Sequence, residues 1–77
     1  MTDYGKLFQG TVAPRSVEKA AEAIARIDDL YWMFILKGDS EGLSQCLLCA
    51  LVGREGARRR DYLDIAEMYQ KWMLDHV

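Results

Sequence analysis

Apolar residues recur along this chain at steps of three and four over most of its length, the spacing of helices that bury one face. Val17, Ala20, Ala21, Ile24, Ile27, Tyr31, Phe34 and Ile35 keep that step. Ser16 precedes them as an N-cap, Glu18 sits in the first turn where the helix dipole favours a negative charge, and Gly38 follows as the residue past the end. The pattern predicts a helix over 14–37, with Pro14 tolerated in its first turn. Its second half holds seven consecutive apolar residues, 30–36, fenced by Asp28 and Asp29 before and Lys37, Gly38 and Asp39 after. At about 100° per residue such a run goes almost twice round the axis, so one packing face cannot cover it. We assign Tyr31, Phe34 and Ile35 to the core stripe. Trp32, Met33 and Leu36 point away from it and are expected to form an interface with a partner or a second copy. The run has high β propensity, but no second strand of comparable quality exists to pair its backbone.

Two more helices are predicted, over 40–53 and 57–76. Asp39 or Ser40 caps the first of them, and Leu43, Leu47, Ala50 and Leu51 form its inner stripe. Cys46, Leu48, Cys49 and Val52 widen that stripe to most of the circumference, which makes this helix central or sandwiched. Gly53 and Gly56 are expected to break it. The last helix carries Tyr62, Ile65, Ala66, Tyr69, Trp72, Met73 and His76 along one face, with Glu67, Lys71 and Asp75 at four-residue spacing on the other. At the start of the chain, Asp3 as N-cap, then Tyr4, Leu7 and Phe8 ahead of Gly10, suggest one or two helical turns that dock on the main body within an arm covering 1–13. The fold class is therefore all-α: one small domain, a three-helix bundle with a short N-terminal helical segment.

Composition sharpens this picture. With 77 residues and 51% hydrophobic content, the chain builds only a thin core, and small domains usually add a disulfide, a metal or a partner subunit. Two cysteines make one bridge at most, so a homodimer is the expected way to cover surplus apolar surface. No apolar run reaches the ~20 residues that cross a bilayer, and no segment has the order of a signal peptide. These readings give a cytoplasmic protein without a membrane partner. A net charge of -2 argues against nucleic-acid binding by bulk electrostatics, which needs many bases without competing acids.

Candidate chemistry is sparse. Cys46 and Cys49 have the two-residue spacing of redox and zinc motifs, but they sit among leucines in mid-helix and lack two further ligands; buried structural cysteine is the better account. His76 has no nucleophile paired with it by spacing, and no glycine-rich phosphate loop is present, so neither a catalytic residue nor a cofactor or metal site is assigned. Arg54, Arg58, Arg59 and Arg60 are the one charge anomaly. Placed in the first turn of a helix starting at 57, three consecutive arginines would lie at the positive end of the dipole, and an anion or an acidic partner would offset that. The same arginines on the second of two successive helices would suit a helix-turn-helix regulator that binds DNA, although Asp61, Asp64 and Glu67 would face phosphate unfavourably. The expectation that follows is a non-enzymatic regulatory protein, an inhibitor or adaptor such as phages and mobile elements encode, whose target is another protein. A small DNA-binding regulator is the alternative.

Overall fold

The computed structural model describes residues 3–76. Four helices follow one another, α1 Tyr4–Leu7, α2 Val17–Lys37, α3 Ser40–Arg59 and α4 Leu63–Asp75, and no strand occurs among the described residues. The last three form an up-down-up bundle in which α3 packs on both α2 and α4. The sequence rules explain the first two junctions. Ser16 accepts a hydrogen bond from the Lys19 N–H at 3.1 Å and starts α2. Gly38, left-handed at φ 68°, ends it, with its N–H bonded to Ile35 O and that of Asp39 to Phe34 O. Asp39 then accepts from the Gly42 N–H at 3.0 Å and opens α3, so a two-residue link reverses the chain.

The third junction differs from expectation. Gly53 and Gly56 do not break α3, which runs on to Arg59, and the last helix starts at Leu63 rather than 57. Gly53 is buried inside the helix because a side chain there would collide with a neighbour: a Cβ would lie 2.5 Å from Tyr69 Cζ. The glycine accommodates an aromatic ring, and the loss of helix propensity, about 1 kcal/mol, does not stop the helix. The stop comes at Asp61, left-handed at φ 59°, with its N–H on Arg58 O and the Tyr62 N–H on Ala57 O. That is the same paired-carbonyl ending as at Gly38, made with an aspartate.

Small residues set how closely the helices approach. The buried seam of α3 is Gly42, Cys46, Ala50, Gly53 and Ala57. Large side chains come from its neighbours: Phe34 of α2 lies over Gly42, and Tyr69 of α4 over Gly53. Of the expected α3 stripe, Ala50 is buried, Leu43 and Leu47 are half-buried beside the seam, and Leu51 is exposed with Leu48 and Val52. The helix is central through its contacts with two neighbours, yet its outer side stays open. On α2 the buried residues are Ala20, Ala23, Ile27, Leu30 and Phe34, so Ala23 and Leu30 take the core places expected of Val17, Ala21 and Ile35, which are exposed, while Ile24 and Tyr31 are half-buried. On α4, Ile65, Ala66, Tyr69 and Trp72 are buried, all on the expected face.

The N-terminal segment completes the core. Asp3 caps α1 by accepting from the Lys6 N–H at 3.1 Å. Tyr4 and Phe8 bring their rings to 5.9 and 6.2 Å from that of Phe34, and Phe8 is buried. Thr11, also buried, donates to Phe8 O at 2.6 Å and accepts at its own carbonyl from the Tyr69 hydroxyl. Phe8 and Thr11 thus supply from the same chain the cover that a thin core needs, and this fold lends no support to a dimer.

Candidate interaction surface

The outer side of α2 carries the most exposed large apolar residues of its half of the run. Leu36 is 87% exposed, Trp32 54% and Ile35 40%. Met33 does not join them: it is half-buried against the core, because the core direction of α2 is set by Leu30 and Phe34 rather than by Tyr31 and Ile35. The predicted set of Trp32, Met33 and Leu36 therefore becomes Trp32, Ile35 and Leu36. Trp32 is held edge-on against the Tyr31 ring at 6.0 Å, which leaves its other surfaces facing outward.

The same side of α2 borders a groove. α2 and α4 run in the same direction and diverge enough to leave a hollow of about 440 Å³ between them. Ile24, Met68 and Trp72 contribute its apolar lining, and Ala21 and Ala25 form a low wall on α2. Neither alanine reaches across, so the groove is open to solvent along its length. Its charged border is described by Asp28, Lys71 and Asp75, and a shallower continuation along α4 adds Asp64 and Glu67.

One end of the groove is closed by a polar clasp that sequence spacing does not reveal. Asp28 Oδ1 accepts from Trp72 Nε1 at 3.0 Å and lies 3.1 Å from His76 Nε2. His76 Nδ1 is 2.7 Å from Trp72 O, and its ring stacks on Trp72 with centroids 4.3 Å apart. Tyr31 packs edge-on to both rings, at 5.6 and 4.9 Å, and donates its hydroxyl to His76 O. Both imidazole nitrogens face oxygen atoms, Asp28 Oδ1 and Trp72 O. The clasp fixes the last turn of α4 to the middle of α2. Tyr31, Trp72 and His76 stand on faces expected to be inward; Asp28, which joins Trp72 and His76, lies 44 residues from Trp72 in sequence.

The arginines lie elsewhere than expected. Arg58 and Arg59 fall in the last turn of α3 and Arg60 caps it, the negative end of the dipole, where basic charge is favoured. The anomaly that called for an anion is removed by the helix boundary. Arg54 is occupied as well: its guanidinium donates to Glu55 Oε1 at 3.1 Å and to Gln70 Oε1 on α4. Arg58 meets the same Glu55 oxygen at 3.4 Å. Arg59 and Arg60 are exposed, with no ion-pair partner among the described residues. A recognition helix led by these arginines is not the arrangement of this fold, since α4 opens with Leu63 and Asp64.

Both cysteines are free thiols. Burial pushes Cys46 up to about 12, with the neighbouring Cys49 adding to the shift, and raises Cys49 despite a hydrogen bond to the Thr11 side chain. Both shifts favour the neutral thiol over the thiolate. Among the described residues no group of three or more His, Cys, Asp and Glu is gathered as a metal site, and no helix is long and apolar enough to cross a membrane. Compared with protein-family models, curated proteins and solved structures, the chain matches none.

Proposed function

We propose that this is a non-enzymatic regulatory protein of the inhibitor or adaptor type, acting in the cytoplasm by binding another protein through the outer side of α2. The observation that carries this reading is the exposure of Trp32, Ile35 and Leu36 together on one helix of a bundle whose core is already closed. Exposed apolar groups of this size, grouped rather than scattered, are the usual anchors of protein interfaces, tryptophan above all. The alternative of DNA binding through Arg54, Arg58, Arg59 and Arg60 lacks the helix-start geometry that suggested it, with Arg54 bonded to Glu55 and Gln70, and rests on the surface charge of the others.

The test is affinity capture followed by mass spectrometry with wild type, Trp32→Ser and Leu36→Ser. Both residues are exposed, so the variants keep the fold, which circular dichroism verifies. We expect a partner retained by wild type to be lost by either variant. A capture profile that neither substitution alters would refute this use of α2.

A further inference from the structure

We infer that the occupant of the α2–α4 groove is a cationic amphipathic helix of the partner, a proposal that rests on the protein-binding reading above and specifies its chemistry. Two independent features of the groove support it. The first is shape and polarity. The apolar floor of Ile24, Met68 and Trp72 lies between two helices that run the same way, with only alanines on the α2 wall. Small side chains let another helix axis come within about 8–10 Å, and methionine adapts to the apolar side chains laid on it. From Ala21 to Asp28 the groove runs about 10 Å along α2, and from Asp64 to Asp75 about 16 Å along α4, which accommodates two to three turns of helix. Trp32 and Leu36 continue the same side of α2 beyond it.

The second feature is charge. Asp64, Glu67 and Asp75 border the groove and its continuation against Lys71, three acids to one base with Asp28 held in the clasp by Trp72 and His76, whereas the whole chain has 12 acids to 10 bases. Four of the ten bases, Arg54 and Arg58 to Arg60, gather towards the C-terminal end of α3. An apolar floor between acidic rims is complementary to a helix with a narrow apolar face flanked by lysine or arginine, and it repels an acidic one. A second copy of this chain fits less well, since α2 presents Glu18 and Asp29 beside its exposed apolar face, Glu22 being paired with Lys19, and two copies related by a two-fold axis would bring these acids together.

The experiment uses two synthetic helices of about 14 residues with an identical leucine face, one with lysine and one with glutamate at the flanking positions. Neither contains tryptophan, so the fluorescence of Trp72 and Trp32 reports binding directly. We expect the lysine peptide to bind with an affinity that falls as salt is raised, and the glutamate peptide not to bind. Glu67→Lys with Asp75→Lys, both at exposed positions, should weaken the lysine peptide by about tenfold or more. Ala25→Arg should block both the floor and the wall and abolish binding. Equal binding of the two peptides, or no effect of the charge reversals, overturns the cationic partner while leaving a protein-binding role intact. Loss of partner capture by Trp32→Ser without any effect of Ala25→Arg overturns the groove as the seat. Concentration-dependent self-association in sedimentation that Ala25→Arg abolishes identifies a second copy as the occupant and also overturns the proposal.

Discussion

Replacing Gly53 by alanine tests the packing logic of this bundle, because helix propensity and tertiary packing predict opposite signs. In an exposed helix interior, glycine to alanine gains about 0.5–1 kcal/mol. At Gly53 the added Cβ would fall 2.5, 2.6 and 2.9 Å from Cζ, Cε1 and Cε2 of Tyr69. Carbon atoms prefer about 3.5–4.0 Å, so the ring or the helix must move by about 1 Å. Tyr69 has no exposed surface and its hydroxyl is bonded to Thr11 O, so it has no empty space to enter. Overpacking of a core costs about 1–3 kcal/mol, and displacing the hydroxyl from its acceptor adds about 1–3 kcal/mol for the stranded groups. Against the propensity gain, Gly53→Ala is expected to destabilise by about 1–5 kcal/mol, lowering the melting temperature by several degrees at least. Gly56 is the internal control: it is in the same helix, and the nearest atom to its added Cβ is Val12 O at 4.0 Å. Gly56→Ala should stabilise by about 0.5–1 kcal/mol. Urea titrations of both variants, followed by circular dichroism, read the two signs. A Gly53→Ala protein as stable as Gly56→Ala would refute the claim that the glycine is there to seat the ring.

Asp61→Gly should raise stability by about 0.5–1 kcal/mol, since Asp61 ends α3 at a left-handed φ that glycine adopts without a Cβ penalty; an unchanged or lower melting temperature would contradict the turn geometry. Asp28→Ala should destabilise by about 1–3 kcal/mol by stranding the Trp72 indole and the His76 ring, and Asp28→Asn should recover part of that through its amide oxygen; equal stability of the alanine and asparagine variants would show that the clasp contributes nothing. Burial pushes Cys46 and Tyr69 each up to about 12, from ordinary values of 9.0 and 10.0. Their folded forms keep protons that the unfolded chain releases, so this stability is fully present below pH 9 and is lost as pH rises towards 12; a urea midpoint that stays flat across that window would count against it. Asp39 is shifted the other way, held below its ordinary 3.8 by the Gly42 N–H first and then by the Tyr4 hydroxyl. Its contribution is present above 3.8 and lost as pH falls further, and Asp39→Asn should flatten the acid side of the stability profile.

Much of the fold was legible because local chemistry and packing agreed. Ser16, Asp39, Asp3 and Gly38 stand where caps are required, and each acts as one. The face of α4 was legible for another reason: Ile65, Tyr69 and Trp72 have polar residues between them, so only one orientation buries the apolar set. In α2 the apolar run covers every direction, and periodicity could not tell Leu30 from Ile35. The candidate interface was legible as a surplus of apolar residues, but not in its membership.

Local sequence rules were enough to show that the chain is helical, that α2 ends at Lys37, and that seven successive apolar residues exceed what one packing face can hide, although they started α2 at 14 and it begins at Val17, behind the Ser16 cap. These follow from caps and from the turn angle of a helix, which are local properties. Packing between helices settles which of those residues face outward, that Gly53 belongs inside a helix, and that Arg58 and Arg59 lie at a helix end rather than a start. Each of these turns on a neighbour distant in sequence: the small seam of α3 sets the rotation of α2, and the ring of Tyr69 makes a glycine compatible with an unbroken helix. The groove is tertiary for the same reason, since its two walls come from helices separated by the whole of α3.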